Sequence, residues 1–137
     1  MKVFFDTSAL FKKYIQEQGS DKLDEILEKT TEITVAPTFI VEMHSGAQRR
    51  LHERIMTTQQ MEFLKHEVKL DYVFFAKVYW NDILEEKALT LIHHYKLKTL
   101  DSIQLASALL AKTENFVTSD HQLFQAAKKE IKNAIII

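Results

Sequence analysis

Cysteine is absent from the 137 residues, which excludes disulfide scaffolds, thiolate zinc sites and thiol nucleophiles. Any metal must then be held by carboxylates or histidines. Proline occurs once and glycine twice, too few for a disordered or low-complexity chain. The two glycines, Gly19 and Gly46, also build neither a dinucleotide fingerprint nor a P-loop. No apolar run approaches the roughly 18 residues of a membrane span, and the opening Met1-Lys2-Val3-Phe4-Phe5-Asp6 meets an acid too early for a signal peptide. Excess charge of one sign is missing as well. The 18 Lys plus Arg against 19 Asp plus Glu leave a formal charge of −1, so no whole-molecule field marks nucleic acid or an anionic membrane as partner. A soluble cytoplasmic protein with no membrane partner is the expectation.

What the chain does have is 46% apolar and 27% charged residues, enough to bury a core in one domain spanning residues 1–137. Val3-Phe4-Phe5 and Phe116-Val117 are short, continuous apolar runs that read as buried central strands. Ile33-Thr34-Val35, closed by Pro37, is a third strand, and Ala134-Ile135-Ile136-Ile137 a fourth at the sheet margin. Helical patterns separate them. The periodicity predicts helices over 8–18 and from a cap at Ser20, a long helix carrying Ile40, Met43, Ala47, Leu51 and Ile55, and another carrying Leu84, Ala88, Leu91, Ile92 and Tyr95. Residues 67–80 alternate like a strand at first and are predicted helical after about Asp71; their aromatic density suits core with some partner contact. Strand alternating with helix predicts a three-layer α/β/α fold with a mainly parallel sheet of four or five strands.

In such a sheet, sites form beyond the carboxyl ends of the strands. Four acids fall there: Asp6 after the first strand, Glu42 early in the helix after Pro37, Asp101 at the start of a later helix, and Asp120 after Phe116-Val117-Thr118. Each alone has an ordinary explanation. Asp6, Asp101 and Asp120 suit helix caps, and Glu42 suits the positive end of a helix dipole. Together at one edge they would repel one another and raise their own pKa values unless a cation intervened. Mg²⁺ or Mn²⁺ on carboxylate oxygens resolves the conflict and leads to phosphodiester hydrolysis.

Other carboxylate chemistries fit less well. A haloacid-dehalogenase-type phosphatase needs a second acid two positions after the first, where Ser8 stands, and a receiver domain needs an acidic pair that is missing after the first strand. None of the six histidines makes the helical spacing of a zinc peptidase, and only His44 and His121 adjoin the acids. Thr118 and Ser119 place hydroxyls beside Asp120 where they can orient it. Lys12, Arg49 and Arg50 are candidate phosphate contacts, set against the plainer reading of solvated helix faces.

In these motifs the chain resembles PIN-domain ribonucleases, specifically the VapC-type toxins of toxin–antitoxin pairs. Asp6-Thr7-Ser8-Ala9-Leu10-Phe11-Lys12-Lys13-Tyr14 resembles the family's first-strand motif, and Glu42 matches its acid in the helix after the second strand. Residues Thr99-Leu100-Asp101-Ser102-Ile103-Gln104-Leu105-Ala106-Ser107-Ala108-Leu109 resemble its most specific helix, although the family commonly has alanine where Ser102 stands. Phe116-Val117-Thr118-Ser119-Asp120 resembles its final acidic motif.

The resemblance implies a metal-dependent endoribonuclease that acts on RNA as a homodimer and is held inactive by a small antitoxin protein. Asp6, Glu42 and Asp101 would then anchor one Mg²⁺ or Mn²⁺, and Asp120 would complete that site or help hold a second ion. Lys12 and Thr118 would offset charge on the phosphate under attack, leaving 5′-phosphate and 3′-hydroxyl ends. A DNA nuclease of flaps or structured ends, and a non-catalytic RNA-binding or assembly module, are the alternative readings.

Overall fold

The computed structural model describes residues 1–137. It begins with β1 (Lys2–Phe5), α1 (Thr7–Leu10), a 3₁₀ turn over Phe11–Lys13, α2 (Ser20–Leu27) and β2 (Glu32–Val35). The middle holds α3 (Phe39–His52), α4 (Thr58–Tyr72), the two-residue β3 (Ala76–Lys77), α5 (Asp82–Tyr95) and α6 (Thr99–Leu110). Then come β4 (Asn115–Thr118), α7 (His121–Glu130) and β5 (Asn133–Ile136). The strands form one five-stranded sheet in the order β3-β2-β1-β4-β5, every neighbouring pair parallel. This is the predicted three-layer α/β/α architecture.

Alternation along the short central strands divides the core in two. Val3 and Phe5 point to one face with Val35 and Val117, where α1 to α4 cover them with Leu10, Leu23, Phe39, Met43 and Leu64. Phe4 and Phe116 point to the other, beneath Leu84, Leu91, Leu105 and Leu123 from α5, α6 and α7. The rings of Phe4 and Phe116 stack across neighbouring strands at 5.7 Å between centroids. Both faces of β1 and β4 are sealed, which is why these strands read as continuous apolar runs.

Because β1 leads outward to β2 and β3 on one side while β4 and β5 lie on the other, the strand order reverses between β1 and β4. At their carboxyl ends the chain departs in opposite directions and leaves a crevice, the usual position for a site in an open parallel sheet.

Several local expectations are corrected. The predicted helix over 8–18 is only the single turn of α1 plus the 3₁₀ turn. Gly19, at φ 95°, occupies the N-cap position of α2, while Ser20 lies inside the helix and donates its hydroxyl to the Lys12 and Ile15 carbonyls, anchoring the intervening loop. Residues 67–80 are helical before Asp71 rather than after it: α4 ends at Tyr72, and the chain then turns into β3 at the sheet edge. Ile55, expected on the apolar stripe of α3, lies beyond that helix and is exposed.

Candidate active site

Asp6 is the residue that β1 delivers to the crevice. Its N–H donates to the Val117 carbonyl at 2.9 Å, extending the β1–β4 ladder by one step and fixing the carboxylate beside Thr118. Although Asp6 stands at the N-cap of α1, its side chain makes no capping bond. Instead its Oδ2 accepts from the Thr118 hydroxyl at 2.7 Å and from the Ser8 hydroxyl. Thr118 Oγ1 in turn accepts the Asp120 N–H at 3.0 Å, and Ser8 Oγ accepts the Ser119 N–H at 3.3 Å. Two hydroxyls therefore lock the end of β1 to the turn after β4.

The other acids reach the same edge from separate helices. Glu42, in the first turn of α3, accepts at Oε1 from the Thr38 hydroxyl and from the Gln104 amide at 2.7 Å. Asp101 is the third residue of α6, so it is not the cap expected from sequence; Lys98 holds that position. Asp120 does cap its helix, with Oδ1 accepting the Leu123 N–H at 2.7 Å. Capping and a place at the site coexist, because one carboxylate oxygen suffices for the cap.

Burial and mutual charge leave a clear electrostatic signature. Asp6, only 4% exposed, is pushed from 3.8 up to about 6, chiefly by desolvation. The Ser8 and Thr118 hydroxyls oppose that rise, and the charges of Glu42 and Asp120 add to it. Asp101 is likewise raised to about 6, first by desolvation, then by Asp120 and Asp6, with Lys98 opposing. Glu42 is raised by desolvation and by Asp101 against the pull of Thr38 and Gln104. No lysine, arginine or histidine forms an ion pair with any of the four acids.

As the side chains stand, no group of three or more acidic or histidine residues lies close enough together to enclose a metal ion. The chemistry of the donor set nevertheless fits a hard divalent cation. The donors are all carboxylate oxygens, they sense one another's charge, none is ion-paired to a basic group, and Asp6 and Glu42 are oriented by neutral hydroxyl and amide groups. Neither histidine considered from sequence joins them: His121 is exposed at the start of α7, and His44 borders a separate hollow between α3 and α4.

A cleft of about 350 Å³ adjoins the acids, lined by Thr7, Ser8, Glu42, Ser45, Arg49, Arg50 and Leu100 among others. The three candidate cations differ in their surroundings. Arg49 is exposed on α3 and faces the cleft. Arg50 lies over the Phe11 ring at 3.9 Å, donates to the Gly46 carbonyl at 3.2 Å and pairs with Glu17 at 3.2 Å. Lys12, with its side chain only 11% exposed, pairs with the same Glu17 at 3.3 Å. Sequence reasoning missed Glu17, Ser8, Thr38 and Gln104 as organisers of this edge. Of these, only Ser8 carried a local signal, two positions after Asp6.

The PIN domain family matches residues 3–129 of the chain. No curated protein matches it significantly. Among solved structures, a toxin-antitoxin complex from Klebsiella pneumoniae aligns with a TM-score of 0.69 at 20% identity, covering 90% of each chain. PAE2754 from Pyrobaculum aerophilum aligns at 0.71 with 16% identity, covering 99% of this chain and 89% of that one. FitAcB from Neisseria gonorrhoeae aligns at 0.70 with 11% identity, covering 98% and 96%. At these identities the structural likeness speaks to fold.

Proposed function

We propose that this chain, which belongs to the PIN-domain family, is a metal-dependent endoribonuclease that hydrolyses RNA phosphodiester bonds. The observation that carries the reading is the gathering of four acids from four separate segments at one sheet edge, with raised pKa values for Asp6, Glu42 and Asp101 and no basic partner for any of them. Asp6, Glu42, Asp101 and Asp120 would hold Mg²⁺ or Mn²⁺, which when bound supplies a Lewis acid for the scissile phosphate and an activated water.

The chain's own groups do the rest. Thr118 and Ser8 fix the Asp6 carboxylate through Oδ2, so its orientation is set before substrate arrives. Thr38 and Gln104 do the same for Glu42. Arg49 offers the cleft a free charge for a backbone phosphate, whereas Arg50, also on its wall, is held by Glu17, as is Lys12, which does not line the cleft. Hydrolysis breaks the P–O3′ bond and leaves a 5′-phosphate and a 3′-hydroxyl.

We further assign the chain to the toxin side of a toxin–antitoxin pair, working as a homodimer. Support comes from the fold it shares with a toxin-antitoxin complex. Val73, Phe74, Tyr79 and Trp80 also stand exposed, large apolar and aromatic side chains of the kind a partner surface would cover. The test is incubation of purified protein with total cellular RNA, and in parallel with flapped DNA, in Mg²⁺ or Mn²⁺ and in EDTA. Metal-dependent RNA ends that vanish in Asp101→Asn are expected. Cleavage confined to DNA would redirect the reading, and no cleavage together with no Mn²⁺-dependent thermal shift would point to a binding module.

A further inference from the structure

Gln104 lies on α6 in a buried run that is otherwise mostly apolar, between Ile103 and Leu105, and is only 1% exposed. Its amide nitrogen donates to Glu42 Oε1 at 2.7 Å and to Thr7 Oγ1 at 3.1 Å, while its amide oxygen, equally buried, has no hydrogen-bond partner. An orphaned buried acceptor is a standing cost to the fold. Turning the amide over offers no escape, because the oxygen would then face the Glu42 carboxylate, which when ionised only accepts.

Were this position simply core, an apolar side chain of the same length would fill it without a buried amide or an orphan. The amide follows the acidic edge instead. Thr7 is the residue after Asp6, Glu42 is on α3, and Asp101 precedes Gln104 by one helical turn on α6. One side chain thus ties together three of the four segments that carry the acids.

Building on the nuclease reading above, we propose that Gln104 is a positioning residue for cation capture. It holds the Glu42 carboxylate, and the spacing of α1, α3 and α6, in the arrangement from which the acids take up a divalent ion. It acts through Glu42 and Thr7, and the ion itself meets the carboxylates.

The experiment is a Mn²⁺ titration of the full chain, with free ion counted by its electron paramagnetic resonance signal, beside thermal unfolding in EDTA. Gln104→Met keeps length and packing but removes both donors. A Mn²⁺ affinity at least tenfold weaker than wild type, with an unfolding midpoint in EDTA that is equal or higher, is expected. A purely structural role would lower the midpoint and leave the affinity alone, and an unchanged affinity overturns the inference whatever the stability. If Gln104→Met does not fold, Thr7→Val releases one of the two anchors. A severalfold loss of affinity there supports the inference, and none overturns it. Failure of the wild-type chain to bind Mn²⁺ would sink the nuclease reading, and this inference with it, an outcome distinct from an indifferent variant.

Discussion

Asp6→Asn is expected to stabilise the protein in the absence of divalent cations, the reverse of what most buried substitutions do. The folded Asp6 carboxyl sits at about 6 against an ordinary 3.8, raised by burial first and by the charges of Glu42 and Asp120. It therefore binds its proton more tightly in the folded chain than in the unfolded one. Folded-state stability falls as pH rises from about 3.8 to about 6, and the full penalty applies above that window. A displacement of this size corresponds to a penalty on the order of 3 kcal/mol. A buried asparagine has a desolvation cost of its own, about 1 kcal/mol when its oxygen still accepts from Ser8 and Thr118. The net gain at pH 7.5 is then about 2 kcal/mol, or about 8 °C in midpoint for a chain of this size. The assay is thermal or urea unfolding of both proteins in EDTA at pH 7.5 and near pH 4. Near pH 4 the wild-type carboxyl is largely protonated and the advantage of the variant should disappear. Added Mn²⁺ should raise the wild-type midpoint at pH 7.5 and leave Asp6→Asn unmoved, with RNA cleavage lost. A variant that is less stable than wild type by the same amount at both pH values would refute the reasoning, since no charge penalty would then reside at Asp6.

Thr118→Val keeps the shape of a buried side chain but removes the donor to Asp6 Oδ2 and the acceptor for the Asp120 N–H; a loss of about 1–3 kcal/mol in urea unfolding is expected, with at least a tenfold fall in cleavage rate. Arg49→Ala should leave the unfolding midpoint unchanged, because Arg49 is exposed, yet weaken RNA binding and reduce the log–log salt slope by about 1. Arg50→Ala should behave differently, costing about 1–2 kcal/mol in unfolding because it strips the Phe11 ring of its cation and leaves Glu17 with Lys12 alone. Phe4→Ala, at a fully buried ring stacked on Phe116, should cost about 3–5 kcal/mol.

The parts of the fold that sequence made legible are those where one physical rule acts alone. Val3-Phe4-Phe5 and Phe116-Val117 announce buried strands because both faces of the central sheet are covered, and α5 declares itself through Leu84, Ala88 and Leu91 at helical spacing. The parts that were obscure are those where tertiary contacts override local pattern. Two residues of β3 carry no period, and Ala76 and Lys77 become a strand only by pairing with Thr34 and Val35. The start of α4 did have a signal in Thr57 and Gln60, whose reciprocal capping box fixes the helix upstream of the stretch expected to be helical. At the candidate site, the acids were visible through their conjunction, Asp6 and Asp120 following apolar strands and Glu42 and Asp101 opening helices, all at the sheet edge where an α/β fold places its sites. Gln104 and Thr38 were not, since an amide in a helix and a threonine before one are ordinary in sequence and become informative only when the fold sets them against Glu42.

That distinction bears on why the acids sit where they do. A structural ion cluster is recognisable in this same protein: Glu17 is pinned between Lys12 and Arg50, its charge matched by its neighbours. Asp6 and Glu42 are handled in the opposite way. Their hydrogen bonds come from Ser8, Thr118, Thr38 and Gln104, all neutral donors, which fix direction without supplying positive charge. Had stability alone shaped this edge, a lysine or arginine beside Asp6 would have lowered its carboxyl into the ordinary range and removed the repulsion. Neutral donors instead leave the negative charge at the crevice between β1 and β4 uncompensated, so Asp6 and Asp101 hold their protons to higher pH than ordinary carboxyls, and it is this unmatched charge on which the proposed cation site rests.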